Sequence, residues 1–474
     1  MNPKKRAYQY DQDHAPPITR RDFLSQGLIS GFAISMVPSV ILGMLKTDIA
    51  QAQSALNCPP GTPASGLIPS IVLDMAGGLG LSGNFIVGKK GGSQDLLSSY
   101  NLLGMPDGMS PRDSSLIDTT YGAPLHKTLS RFLMGMNSVM SSTTQRNTRI
   151  LTIPHSGMDD SSNNQLSPLI LVAKAGLVGS VLPTGLGMRP SQSGGNSNVP
   201  FGDAALKPLM ISSGKALVDA IKLGDGLSGL QDYQRARIAK AASNLSSSQL
   251  SKFNAMSQGK QFSELAQCGY IKNEQMIKTS AVIDASLNEH VKALYKNPVD
   301  GTSQASGATA AAVFNTLMGN VGPSAIVVGG CDYHNQGIEV SGAKDEECGR
   351  ELGRILELAA LLGKPVAVFG ISDGAIAYKK DTREPISDSG SRSLAFLACY
   401  KPSGPPALPK SQIGAYTDGQ IADRSFWFAT NPAMVAHILA INYLKICNRT
   451  DLINSMISSG GFPSAEIPNI LGFG

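Results

Sequence analysis

The chain is poor in charge and in aromatic rings: 16% of its 474 residues are Asp, Glu, Lys or Arg, 6% are Phe, Trp or Tyr, and tryptophan occurs once. A formal net charge of +5, without any Lys/Arg cluster interleaved with aromatics, makes nucleic acid a poor partner. Beyond residue 52 no apolar run has the length and continuity of a membrane span, so no permanent transmembrane segment is expected. None of the six cysteines sits in a Cys-x-x-Cys pair, which argues against a thiol redox centre or a structural zinc site. There is no phosphate-binding P-loop and no His-Glu-x-x-His helix. The run Gly77-Gly78-Leu79-Gly80-Leu81-Ser82-Gly83 has glycines at dinucleotide-loop spacing but no clear following helix with a ribose-binding acid, so no nucleotide cofactor is expected.

What the sequence does contain begins with an address. Thr19-Arg20-Arg21-Asp22-Phe23-Leu24 is a paired-arginine motif, followed by a mostly apolar stretch from Gly27 to Leu45 and by Ala50-Gln51-Ala52, small residues at signal-peptidase spacing. Residues 1–52 thus read as a twin-arginine signal peptide, with the translocase as a transient partner and the periplasm, or the medium beyond it, as the destination. The competing reading is an anchor that stays attached; Pro38 and the Ala-x-Ala site favour cleavage. In an oxidising compartment Cys58, Cys268, Cys331, Cys348, Cys399 and Cys447 form an even set that permits disulfides without fixing their pairing.

Residues 53–68 read as an extended lead-in, residues 69–450 as one α/β domain and residues 451–474 as a loose C-terminal tail. Apolar runs at Pro69–Asp74, Arg149–Pro154, Ser324–Val328, Val366–Phe369 and Leu394–Tyr400 predict buried strands, with shorter ones at Leu169–Ala173 and Gly179–Leu182. Helices are predicted near Leu125–Met140, over Gln231–Ser243 and Ala281–Leu294, from about Asp345 to Leu362, and from Pro432 to Ile446 behind an Asn431 cap. Asp345, Glu346 and Glu347 are placed in a first helical turn, where acids suit the dipole. Strand, helix and strand from Ser324 to Phe369 form a βαβ unit, so the expected fold is a mostly parallel central sheet flanked by helices, with a helical insertion at about 207–317.

Open parallel sheets bind ligands outside the carboxyl ends of their strands. The predicted strands end in Asp74; in His155 with Ser156, Asp159 and Asp160; in Asp332 and His334; and in Ser372 and Asp373. Carboxylates and imidazole gathered there would suit one divalent ion such as Zn²⁺ or Mn²⁺, able to lower the pKa of a water or hold two ester oxygens. His126, His290 and His437 fall on predicted helices and are read as packed or exposed without function.

The order of these features resembles a family of uncharacterised, twin-arginine-exported bacterial proteins of unknown-function domain type, related to the alkaline phosphatase and sulfatase superfamily. Gly329-Gly330-Cys331-Asp332-Tyr333-His334 matches that family's late Gly-Gly-x-Asp-x-His motif, and Gly77-Gly78 its first turn, with Gly80 where an acid is expected. His155-Ser156 stands for its Ser-His pair, Ser372-Asp373-Gly374 for its late acid motif, and Asp388-Ser389-Gly390 for its Asp-His-Gly motif without the histidine. The resemblance implies an alkaline-phosphatase-like fold and a metal-dependent hydrolase of phosphate or sulfate esters acting on a small anionic ester. In that reading Asp332, His334 and Asp373 hold the metal, while Asp373 doubles as an acid/base group, His155 stabilises an oxyanion or ligates, and Ser156 is the nucleophile. The missing acid at Gly80 and histidine at Ser389 support a second reading, a non-catalytic envelope protein that uses a degenerate hydrolase scaffold for binding or assembly with an envelope partner.

Overall fold

The computed structural model describes residues 66–157, 161, 163–179, 182, 184–188, 194–195, 207–221, 233–234, 237, 283–295 and 304–474. The signal, most of the lead-in, Asp159, Asp160, Cys58, Cys268 and most of the predicted Gln231–Ser243 helix lie outside them. Eleven strands are described. They are β1 Ser70–Met75, β2 Ile117–Asp118, β3 Leu125–His126, β4 Thr148–His155, β5 Leu186–Gly187, β6 Leu209–Met210, β7 Ser324–Val328, β8 Val366–Ile371, β9 Ile376–Tyr378, β10 Pro385–Asp388 and β11 Ser393–Tyr400.

Seven of them form the central sheet in the order β4-β11-β8-β1-β7-β5-β6. β1 pairs in parallel with β7 and β8, and β5 in parallel with β6 and β7. β11 runs antiparallel to both β8 and β4, so it alone opposes the common direction. The predicted α/β fold with a mostly parallel sheet is therefore observed. β6 belongs to the segment expected to be a helical insertion, and its pairing ties that segment to the sheet edge.

Strands buried on both faces read as continuous apolar runs, and alternate residues enter opposite cores. In β1, Ile71, Leu73 and Met75 face one core and Val72 the other. In β11, Leu394, Phe396 and Ala398 likewise oppose Ala395, Leu397 and Cys399. The first core is covered by α1 Arg131–Asn137, α6 Gln304–Leu317 and α7 Ile338–Leu361, through Phe132, Val313, Leu352 and Ile355. The second is covered by α3 Leu169–Lys174, α8 Pro432–Ile446 and α9 Thr450–Gly460, through Val172, Ile438, Leu439 and Ile453. Also described are α2 Ser142–Arg146, α4 Gly214–Ile221 and α5 Glu289–Tyr295. Among the described residues no helix is long and apolar enough to cross a membrane.

Four expectations change. Leu169–Ala173 is helix, because a short apolar run carries no period that separates a buried strand from a buried helix. Leu125 and His126 pair as a strand with Ile117 and Asp118, and the helix expected there begins only at Arg131, where the Ser130 hydroxyl accepts from the Leu133 amide. α7 begins at Ile338, before the predicted start, so Asp345 lies well inside the helix and is buried. The C-terminal segment is bound to the core: α9 packs against α8, and the buried Asn442 donates to the Ile470 carbonyl and accepts from the Gly472 and Phe473 amides.

Glycines let α1 and α7 meet backbone to backbone. A Cβ at Gly135 would lie 2.1 Å from the Glu346 carbonyl oxygen, and one at Gly349 would lie 2.0 Å from that of Phe132. Gly349→Ala gains about 1 kcal/mol of helix propensity but forces two backbones apart. We expect a net loss of about 1–3 kcal/mol, read as a lower urea midpoint. Gly342→Ala on the same helix, whose Cβ would meet nothing nearer than an Arg131 methylene at 3.4 Å, is expected to be neutral or stabilising.

Candidate metal centre

The common strand direction carries the ends of β1, β4, β7 and β8 to one edge of the sheet, where the predicted site residues sit. β7 ends at Val328, and the loop behind it reverses through Gly330, whose φ of +78° suits glycine. Cys331 is buried beneath that loop and packs against Cys348 of α7 with 3.6 Å between the sulfurs; both are free thiols, as are Cys399 and Cys447. Burying Cys331 leaves Asp332 and His334 on the outer side of the loop, since Tyr333 between them is also buried.

Asp332 and His334 meet there, and Asp388 at the end of β10 joins them. One donor atom from each lies within 4.8 Å of the other two. His334 Nδ1 is 3.1 Å from Asp388 Oδ1 and in direct contact with Asp332 Oδ1. It meets hydrogen-bond geometry with neither, the contacts being ionic only if the ring is protonated, and among the described residues this buried atom has no other hydrogen-bond partner. A buried ring nitrogen flanked by two carboxylates, with no hydrogen bond to use it, fits a divalent cation. Two carboxylates and one imidazole are the oxygen and nitrogen donors that suit Zn²⁺ or Mn²⁺. The carboxylate side chains are 58% and 44% exposed, so solvent or a small ligand reaches any further coordination positions.

Asp388, rather than Asp373, completes this group. Asp373 is buried, and its Oδ1 accepts from the amides of Gly77 at 2.9 Å and Gly78 at 2.6 Å. Beside it the Ser372 hydroxyl accepts from the Leu79 amide and donates to the Met75 carbonyl. Together they hold the glycine turn behind β1. Gly77 in turn lies so close to Asp332 that a Cβ there would fall 2.3 Å from the Asp332 nitrogen. Asp74 is wholly buried and accepts from the Gly195 amide.

His155 does not join the group either. β4 lies four places along the sheet from β7, on the order of 19 Å at about 4.8 Å per strand. His155 is buried, with Nδ1 bonded to the Ile153 carbonyl, and burial lowers its pKa to about 4, so the ring is neutral. The neighbouring Ser156 donates its amide to the Ala429 carbonyl. His126 and His437 are buried with ring nitrogens bonded to the Met109 and Ala433 carbonyls, and His290 is exposed, in keeping with packing or surface roles.

Two functional candidates were not singled out from the sequence. Asp388 was visible only as the remnant of a motif that had lost its histidine. Asp345 reads as a surface acid of a first turn, yet it is buried, accepting from the Tyr333 hydroxyl at 2.7 Å and from Asn84 Nδ2 at 2.8 Å. Burial raises its pKa to about 6. Comparisons with family models, curated proteins and solved structures find no match to this chain.

His155 and Asp345 make opposed contributions to acid stability. The His155 ring titrates near 6.5 when unfolded and about 4 when folded, so between those values only the unfolded chain binds its proton, and stability falls as pH falls. Asp345 titrates near 3.8 unfolded and about 6 folded, so across much the same window it adds stability as pH falls. Each contribution is roughly 3 kcal/mol. We therefore expect His155→Gln to gain stability relative to wild type on going from pH 7 to pH 4, measured by urea unfolding; a constant difference across that range would refute the assignment.

Proposed function

We propose that this chain is an exported protein that binds one divalent cation through Asp332, His334 and Asp388, and that it works as a cation-dependent binding protein on a hydrolase-like scaffold. The observation that carries the reading is the buried His334 Nδ1, set between two carboxylates and bonded to neither. Two carboxylates repel one another unless a cation or proton lies between them, and a bound divalent ion would supply positive charge at an exposed sheet edge. His155 and Asp373 are each engaged in buried structural hydrogen bonds, which supports binding over ester hydrolysis. The paired arginines of the leader fit this reading, because that export route carries folded chains and allows a cation to be acquired first.

Hydrolysis of a phosphate or sulfate ester remains the second reading, favoured by the position of the group at the carboxyl edge of a mostly parallel sheet, open to solvent. There the ion would supply Lewis acidity, Asp332, His334 and Asp388 would hold it, and the open face would admit the ester.

Equilibrium dialysis against Zn²⁺ and Mn²⁺ tests the primary reading. One ion per chain is expected, with affinity reduced by about tenfold or more in His334→Ala and in Asp388→Asn, as for loss of one of three ligands. Unchanged binding in both variants would sink the assignment. Aryl phosphate and aryl sulfate turnover by the metal-loaded protein, abolished in Asp388→Asn, would move the function to the second reading.

A further inference from the structure

A cavity of about 130 Å³ opens between the first turns of α7 and the β9–β10 hairpin, apart from the cation group. At about 30 Å³ per water it has room for roughly four waters. Ile338 is the sole aliphatic residue in its lining, beside Tyr378.

Its walls carry two arginines and two carboxylates, Glu339 and Asp345. Arg131 enters from α1 and Arg383 from the hairpin turn. Arg131 shares its charge with Glu346 through a 2.6 Å ion pair. Arg383 has no carboxylate within ion-pair distance among the described residues, and the Nε of each arginine is buried without an acceptor. A buried guanidinium nitrogen without an acceptor is unfavourable in the empty protein and is relieved by a bound anion. Its placement is also conformationally demanding. The turn closes by the Lys379 amide donating to the Glu384 carbonyl, and both Asp381 and Arg383 take left-handed φ values, +65° and +59°.

The floor is a buried polar network. The Gly80 amide donates to the Tyr333 hydroxyl, which donates to Asp345; Asn84 donates to the same carboxylate and accepts from Ser130 and from the Phe132 amide. Two donors already meet the Asp345 charge, and Glu339 on the rim is exposed, where water and salt screen it. What the cavity presents without an acceptor is the Arg383 Nε, whose guanidinium lies in the field of Asp345 but outside ion-pair distance of it, with Tyr378 also in the lining. A pocket with convergent polar groups and a perturbed carboxylate is the usual form of a small-ligand site.

We propose that this cavity binds one small oxyanion, a carboxylate or a phosphate, held by Arg383 with Arg131 beside it. The site shares no residue with the Asp332, His334 and Asp388 group, so the inference does not rest on the cation reading.

Isothermal titration with acetate and with inorganic phosphate, on the full chain in a buffer containing a chelator, removes any anion binding through a metal. Saturable binding of one anion per chain is expected with at least one probe, and the probe that binds identifies the anion class. Arg383→Gln should weaken it by about tenfold or more, as for loss of a charge-assisted hydrogen bond, and Arg383→Lys by less, since charge survives without the fork. Gly342→Leu, which fills the cavity from α7 without removing a charge and favours helix, should weaken binding similarly. Absence of saturable binding to both probes, or equal affinity in wild type, Arg383→Gln and Gly342→Leu, would overturn the proposal.

Discussion

Three successive amides behind β1, those of Gly77, Gly78 and Leu79, end on two side chains behind β8, Asp373 and Ser372. This clamp sets much of what surrounds it. A typical hydrogen bond of this kind contributes about 0.5–1.5 kcal/mol net, and leaving a buried amide unpaired would cost more. Here these bonds fold the glycine turn back over the sheet edge. The turn then lies against the Asp332 backbone so closely that only glycine fits at position 77. One residue on from the clamp, the Gly80 amide reaches the Tyr333 hydroxyl, and through it Asp345. The loop carrying Asp332 and His334 is thus fixed from below by Tyr333 and from the side by Gly77, which leaves those two side chains outward and able to meet Asp388.

The clamp also explains why Asp373 looked like a ligand. A strand that ends in Ser-Asp-Gly presents an acid at the edge where ligands bind, and sequence shows the acid without showing what bonds to it. Asp373 and Asp74 are spent on backbone amides, and His155 on a carbonyl. Asp388 carried the weaker motif and is the one brought to His334. The difference lies in the β9–β10 hairpin, which returns the chain to the edge at that residue; the Ser389 amide donates to the Ala375 carbonyl, and the Asn335 amide to that of Pro385. These are long-range pairings that no local pattern encodes.

The sheet was legible because buried parallel strands are continuous apolar runs, and Ser324–Val328, Val366–Ile371 and Leu394–Tyr400 contain little else. Helix starts were less so. α7 opens on Gly337 with no side-chain cap and on two β-branched residues, Ile338 and Val340, whereas the acidic run from Asp345 imitates a first turn. Asp345 is buried because the helix begins earlier and turns that face toward Asn84 and Tyr333. An acid placed in a first turn by its neighbours and one buried in mid-helix have the same spelling; only the helix phase separates them. The same misplacement hid the cavity, whose floor is that carboxylate.

The segment from Gly329 to Gly342 therefore serves two opposite purposes across a few residues. Its first half exposes Asp332 and His334 and, among the described residues, brings no Lys or Arg within ion-pair distance of Asp332, which favours a cation. Its second half opens the first turns of α7 beside Arg383 and Arg131, which favours an anion. Tyr333 stands between the two, its ring buried and its hydroxyl shared by Gly80 and Asp345. Tyr333 is flanked directly by Asp332 and His334, so the hydrogen bond that ties it to Asp345 also helps to fix their loop.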